Sequence, residues 1–408
     1  MNADDDRDDA SFAPHPDVFR DAFAALYALT DEHAAPRPLP EVLPEDGIGE
    51  EQALARMAGP MLDNARRLGA PGFFAHMDPP TPWITWVTTA WAASTNQNLL
   101  HPDTAPQARE LERRVVSWIA PTFGMQAGQC VPGSTPANLT ALWTARERRG
   151  VRDIVASEMA HLSVRKAAQI LGLPYRTVPV DAGHRLRVDA LGDVSRSALV
   201  LTAGTTTLGA VDPLGVRAAW VHVDAAWAGP LRWSETHRHL LDGIDEADSI
   251  AISAHKWLFQ PKESALVLFR ELDALDSVTF SGAYLAAPNV GLLGSHGATA
   301  STLLATLLAW GRRGVVKRID RCMRIAERLA DIVDASPDFE LYAPPTTGIV
   351  LWRPIGEDAV NLRERLRDAY VSTAYVGQDR WLRSVAANPM ADPDVVFRAA
   401  ESALRRSE

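Results

Sequence analysis

Cysteine is scarce: the 408 residues hold only Cys130 and Cys322. Two thiols make no disulfide framework, and so low a count suits a reducing cytoplasm. Positive charge is also short, with 41 Lys and Arg against 51 Asp and Glu and a formal net charge of -10. That balance argues against nucleic acid as a partner, because gripping a phosphate backbone takes a dense basic face. Long apolar runs are missing as well. The stretch "STLLATLLAW" falls well short of the ~20 residues that span a bilayer, and it runs into charge. The opening "MNADDDRDDA" has neither a basic start nor an apolar core, so it is no secretory signal; residues 1–14 read as a solvated acidic tail. No internal repeat is visible. The expectation is a cytoplasmic protein without a nucleic-acid partner, a membrane partner or a metal.

What is present is ordinary globular composition, 47% hydrophobic and 23% charged, in a chain long enough for a large core with a smaller companion. "HPDVFRDAFAALYALTDEH" (15–33) has near-helical apolar spacing, and the Pro-rich "APRPLPEVLPEDG" after it reads as a linker. From about 105 to 280, helical segments alternate with the short apolar runs "DIVAS", "SALVLTAG", "AWVHVDAA", "SIAIS" and "SALVLF". Such alternation predicts an α/β layer architecture with a mainly parallel sheet. From about 300 a long helical pattern leads into "FELYAP", "GIVLWRP" and "RWLRSVA", a smaller C-terminal α+β domain. The expected organisation is an N-terminal helical segment over 15–104, a large domain over 105–300 and a small domain over 301–408.

In an open α/β sheet, ligands sit outside the carboxyl ends of the strands, so the polar residues that close these strands carry the interest. "DSIAISAHKW" ends a buried-looking strand at His255, Lys256 and Trp257. A lone lysine there would snorkel to water, but at a pocket mouth desolvation makes its amine a nucleophile toward a carbonyl. "AWVHVDAAWAG" delivers Asp224 to such an end, and "LVLTAGTTTLGAVDP" supplies Thr205, Thr206 and Asp212 in a Gly-bounded turn. "DIVASEMAHLSVRKAAQILG" supplies His161 and Ser163 before a helix. In "GQCVPGSTPANLTALWTARERRG", Gly133 permits a tight turn, Ser134 or Thr135 caps a helix, and the free amides of that start make an anion site. Singly, each of these is a cap, a turn or a core residue. Together they meet the needs of pyridoxal phosphate: a lysine for its aldehyde, an acid for its pyridine nitrogen, a flat partner for its ring and a cup for its phosphate. Lys256, Asp224, His161 and the helix start at Gly133 to Asn138 fit those four needs in turn.

These residues also resemble a known family, the group II pyridoxal phosphate-dependent amino-acid decarboxylases, which include glutamate and aromatic amino-acid decarboxylases. The similar pieces are "ARELERRVVSWIA", "GSTPANLTALWTARE", "HLSVRKAAQILGL", "TAGTTTLGAVDPL", "HVDAAWAG", "DSIAISAHKW" and "WLRSVAANP", in the family's order over roughly 105–395. The resemblance implies an aspartate-aminotransferase-like (fold type I) enzyme that decarboxylates an L-amino acid to an amine and carbon dioxide. It implies that Lys256 forms the Schiff base, Asp224 pairs with the pyridine nitrogen and His161 stacks on the ring. Ser134, Thr135 and His255 fall where the family contacts the phosphate or its surroundings, Ala226 beneath the ring and Thr206 near its phenolic side. Arg383 matches an arginine that meets a substrate carboxylate, and His76 in "FFAHMDPP" lies near the substrate entrance. The family's sites form between the subunits of a homodimer, which gives Ser295 and His296 in "GSHGA" a place at the dimer contact, with Ser295 toward the cofactor. A loop tyrosine that protonates the carbanion is expected in the family. Here the loop "SGAYLAAPNVGLLGSHGATA" is short, and Tyr284 is its only phenol, with His296 the other candidate donor. Aldol cleavage, transamination, oxidative deamination or a lapsed cofactor-binding homologue remain open alternatives on the same residues.

Overall fold

The apolar runs expected as strands pair into one seven-stranded sheet: β1 (Ala127–Val131), β2 (Asp153–Ser157), β3 (Tyr175–Val178), β4 (Ser197–Thr202), β5 (Trp220–Asp224), β6 (Ser249–Ser253) and β7 (Ala265–Phe269), in the order β1-β7-β6-β5-β4-β2-β3. The computed structural model describes residues 16–26, 39–63, 65–282 and 287–406, which divide into one unit over 1–67 and another over 68–408. In the first unit, α1 (Pro16–Ala25) falls in the expected amphipathic segment, and α2 (Glu50–Ala58) runs into a wider turn at Gly59–Asp63. The acidic tail 1–14 lies outside the described residues. Every polar residue singled out above lies in the second unit or outside the described residues.

β4, β5, β6 and β7 are buried along their whole lengths. That is why they read as continuous apolar runs rather than alternating ones: helices cover both faces of such a sheet. α5 (Ser134–Arg149) packs against β5, β6 and β7, and α6 (Leu162–Leu171) beside it. The sheet is mainly parallel, as expected, but β7 runs antiparallel to both of its neighbours. The link 254–264 is too short for the crossover of about a dozen residues that a parallel return needs.

The C-terminal part forms a four-stranded antiparallel sheet in the order β10-β11-β13-β12, with β10 at Phe339–Leu341, β11 at Ile349–Pro354, β12 at Ser372–Val376 and β13 at Asp379–Val385. Before it, β8 (Thr279–Phe280) and β9 (Asn289–Val290) make a two-residue ladder across the short loop segment. The long helical pattern is α7 (Ala300–Asp334), which packs on α3 (Trp83–Thr95), α4 (Ala108–Ile119) and α9 (Pro393–Arg405), while α8 (Ala359–Arg365) covers β13. α7 is not continuous: Gly311 leaves the helix at φ 59° and ψ 175°, a backbone region that glycine enters without a Cβ penalty.

Two buried indoles tie the sheets together. Trp227 and Trp257 lie just past Asp224 and Lys256, with ring centroids 4.0 Å apart. Trp227 donates to the Thr347 carbonyl at 2.7 Å and Trp257 to the Ala386 carbonyl at 3.0 Å, both beside strands of the second sheet. Each buries ~200 Å² of mostly apolar surface, worth about 5 kcal/mol by area, with its one polar atom satisfied. The ends of β5 and β6 are therefore anchored just beyond the residues they present.

Candidate functional site

Asp224 is the last residue of β5 and only 4% exposed. Its Oδ2 accepts from Asn138 Nδ2 at 2.9 Å and its Oδ1 from the Ala226 amide at 3.1 Å. Among the described residues no lysine, arginine or histidine lies within the 4.0 Å of an ion pair with it. A buried carboxylate with hydrogen bonds but no counter-cation is expensive unless a ligand brings one. Asn138 reaches this position from the first turns of α5, and α5 begins where Gly133 takes φ 151° and ψ 165°, a conformation close to exclusive to glycine.

Lys256 sits in the turn after β6, its amide donating to the Ser253 carbonyl at 3.2 Å. Among the described residues its amine has no hydrogen-bond or ion-pair partner. Desolvation pushes its pKa below the ordinary lysine value, the charges of Lys262 and Arg383 add to that, and Asp224 and Asp78 oppose it. A lowered amine pKa in a cleft is the preparation a nucleophilic lysine needs. Ser253 Oγ donates to Ser134 Oγ at 2.9 Å, which joins the end of β6 to the start of α5. The Ser134 and Thr135 amides belong to the first turn and have no intrahelical acceptor.

His161 caps α6. Its Nδ1 accepts from the Ser163 amide at 3.2 Å and lies 2.8 Å from Ser163 Oγ. The residue is exposed enough for its ring to meet a ligand, yet local desolvation lowers its pKa, with Lys256 assisting and Asp224 opposing. His255 donates from Nδ1 to the Ser264 carbonyl at 3.0 Å, and desolvation, with Lys262 and Lys256 beside it, pushes its pKa down to about 4.

Arg383 comes from β13 of the second sheet and is 7% exposed. Its Nε donates to the Thr206 carbonyl at 2.8 Å and its Nη1 to Ser372 Oγ at 3.3 Å. No carboxylate among the described residues pairs with it, and desolvation pushes its pKa down to about 10 against the pull of Asp78. A guanidinium this buried, with no carboxylate partner among the described residues, has the chemistry to grip a carboxylate through paired hydrogen bonds.

The structure thus gathers Lys256, Asp224, Ala226, His161, Ser134, Thr135, His255, Thr206 and Arg383 around the ends of β5 and β6. His76 is exposed, at φ 37°, with its ring 5.9 Å from that of Tyr370. Ser295 and His296 are elsewhere. Ser295 Oγ accepts from Asn98 at 3.1 Å, and His296 lies 3.6 Å from Glu112 beside β1. Tyr284 lies outside the described residues. Thr205 and Asp212 serve the backbone: Thr205 Oγ1 accepts from the Ala210 amide at 3.0 Å, while Asp212 binds the amides of Leu186 at 2.7 Å and Thr202 at 2.8 Å. Sequence reasoning missed His222 and Ser249 behind Asn138, and also Asp78, which pairs with Lys262 and acts electrostatically on Lys256, His255 and Arg383. The signal for Asp78 was its place two residues from His76 in "FFAHMDPP", a segment read only for that histidine.

Pyridoxal phosphate fits this constellation: its pyridinium would bring the cation that Asp224 lacks, its aldehyde would meet the free amine of Lys256, and its phosphate would meet the open amides and hydroxyls of α5. Among the described residues no group of three His, Cys, Asp or Glu could hold a metal ion, and no helix is long and apolar enough to cross a membrane.

Comparison with known proteins agrees with this. Residues 37–354 match the family model for the pyridoxal-dependent decarboxylase conserved domain. The chain is 32% identical to L-2,4-diaminobutyrate decarboxylase of Rhizobium meliloti (strain 1021), over 92% of this chain and 84% of that protein. It is 27% identical to aromatic-L-amino-acid decarboxylase of Bacillus atrophaeus, over 78% of this chain and 74% of that protein. Among solved structures, mouse CSAD in its apo form superimposes with a TM-score of 0.82 at 24% identity, over 95% of this chain and 98% of that one, a likeness of fold.

Proposed function

Because the chain belongs to the pyridoxal-dependent decarboxylase family and is a pyridoxal phosphate-dependent carboxy-lyase that converts an L-amino acid to an amine and carbon dioxide, we propose that Lys256, Asp224 and His161 carry its chemistry and that Arg383 holds a substrate carboxylate. Bound pyridoxal phosphate supplies the sink for the electron pair left at the substrate α-carbon. Lys256 offers a desolvated amine to the cofactor's aldehyde carbon. Asp224, held on both oxygens, keeps a proton on the pyridine nitrogen, and low local dielectric strengthens that pairing. His161 supplies the ring partner, Ala226 packs against the opposite side, and Thr206 lies toward the phenolic oxygen. Ser134, Thr135 and the start of α5 take the phosphate, with His255 beside them. His76 lines the entrance.

Two copies of the chain form the working enzyme in this reading, in the cytoplasm, with Ser295 and His296 completing the site of the partner. The support is that Ser295 and His296 stand apart from the Lys256 group within their own chain. The observation that carries the whole proposal is the buried, cation-free carboxylate of Asp224 near an unpartnered lysine amine. Two measurements test it. Incubation with each L-amino acid should release carbon dioxide and amine in equal amounts from one substrate class. Borohydride reduction of the yellow holoenzyme followed by peptide mapping should label Lys256, and Lys256→Ala should lose the label. A label on any other lysine removes the assignment.

A further inference from the structure

Behind Asp224 runs a chain of buried polar groups whose direction is fixed at both ends. Trp220 Nε1, which can only donate, lies 2.9 Å from Ser249 Oγ. Ser249 Oγ lies 2.9 Å from His222 Nδ1, and His222 Nε2 lies 3.0 Å from Asn138 Oδ1. Asn138 Nδ2 reaches Asp224 Oδ2, which as a carboxylate can only accept, at 2.9 Å. His222, Ser249 and Asn138 are all wholly buried. The shape of an amide does not tell its oxygen from its nitrogen, so partners decide its orientation. With a carboxylate on one side, the Asn138 NH₂ must face Asp224 and its oxygen must face His222. The His222 Nε2 then carries a proton, Nδ1 is bare, and Ser249 gives its hydroxyl hydrogen to Nδ1 while accepting from Trp220. The second hydrogen of Asn138 Nδ2 goes to Ser163 Oγ at 2.9 Å, which leaves the Ser163 hydroxyl to donate to His161 Nδ1. One chain therefore sets both the aim of Asp224 and the tautomer of His161.

We propose that His222 is a positioning residue which, as a neutral ring protonated on Nε2, locks the Asn138 amide with its nitrogen toward Asp224 and so holds that carboxylate on the cofactor's pyridine nitrogen. Burial favours the neutral form, pushing the pKa of His222 down to about 4 with Asp224 and the Ser249 backbone opposing. A doubly protonated ring would also leave the Ser249 hydroxyl hydrogen without an acceptor in a site closed to water. The inference rests on the assignment of Asp224 made above. That assignment has its own test, since Asp224→Asn with normal turnover would remove it without touching the state of His222.

The direct experiment is a long-range ¹H–¹⁵N spectrum of the ¹⁵N-histidine-labelled holoenzyme, with the His222 signal identified by its absence in His222→Gln. A neutral Nε2–H ring, unchanged between pH 8 and pH 5.5, is expected; an imidazolium or an Nδ1–H ring at neutral pH overturns the proposal. Kinetics provide the second reading. His222→Leu removes the donor to Asn138 and, acting through Asn138 on Asp224, should lower kcat about 10-fold with little change in KM, the low end of the range for losing an outer hydrogen-bond partner. His222→Gln can present an N–H to the same oxygen and should recover most of that loss. A Gln variant as impaired as the Leu variant, or a Leu variant with wild-type kcat, overturns it.

Discussion

Asp224→Asn changes one atom and should separate cofactor binding from turnover. In the native site both carboxylate oxygens accept, from Asn138 Nδ2 at 2.9 Å and from the Ala226 amide at 3.1 Å. An asparagine has one oxygen to offer, so one of those donors must face an NH₂. Turning the Asn138 amide does not relieve the conflict, because His222 would then carry its proton on Nδ1 and the buried Ser249 hydroxyl hydrogen would lose its acceptor. One buried donor is left unsatisfied, at a cost of about 1–3 kcal/mol in stability. The larger loss is catalytic. A neutral amide does not hold a proton on the pyridine nitrogen, and removal of a central electrostatic partner in a dry site costs on the order of three orders of magnitude in kcat, about 4 kcal/mol in the barrier. Lys256 and the start of α5 are unaltered, so the variant should still emerge yellow from gel filtration. The assay compares cofactor absorbance per chain with the rate of carbon dioxide release at saturating substrate. Full cofactor content with kcat within about tenfold of wild type would refute the reasoning and place the acid elsewhere.

Arg383→Met should lower kcat/KM about 10- to 150-fold, the equivalent of one charge-assisted hydrogen bond of about 1.5–3 kcal/mol, mainly through KM and with cofactor content intact; steady-state kinetics that match wild type would show that the buried guanidinium has no substrate role. The Glu112 carboxylate, 3.6 Å from His296 Nε2, raises the His296 pKa above its ordinary value, so the stability it contributes is complete below about pH 6.5 and fades as pH climbs through the raised folded value. Glu112→Gln should remove that part of the slope in a thermal-melt series from pH 5.5 to 8.5, and an unchanged slope would mean that the pair does not contribute.

The strands were legible because a buried parallel sheet writes itself as continuous β-branched and apolar runs, and Lys256 stood out because it ends one of them. Asp224, His161 and the α5 start were legible for the same reason: each closes or follows such a run. The reversal of β7 was not, since orientation depends on the length and path of the 254–264 link rather than on the strand's own residues. Nor was the break at Gly311, where the apolar spacing continues across a single residue that leaves the helix. The partners of Asp224 were hidden by distance along the chain. Asn138 and Asp224 are 86 residues apart, Asn138 and His222 are 84 apart, and no local pattern couples an amide on one helix to a ring on a central strand. Asp212 and Thr205 erred in the opposite direction: both looked like strand-end chemistry and turned out to satisfy backbone amides.

The placement of Asn138 on α5 has a consequence for how errors propagate. In the proposed arrangement the first turn of that helix grips one end of the cofactor, and one turn later the same helix grips the carboxylate that addresses the other end, about 6 Å along its axis. A helix is stiff over that distance, so it works as a gauge. Asp224 itself belongs to β5, so sliding α5 against the sheet would carry the phosphate grip and the Asn138 amide together, away from the carboxylate that Asn138 aims. Damage to its buried seat, at Ala141, Leu142 or Ala145, would then loosen the phosphate grip and the aim of Asp224 at once, while Asp224 and Lys256 kept their places at the ends of neighbouring strands of the sheet.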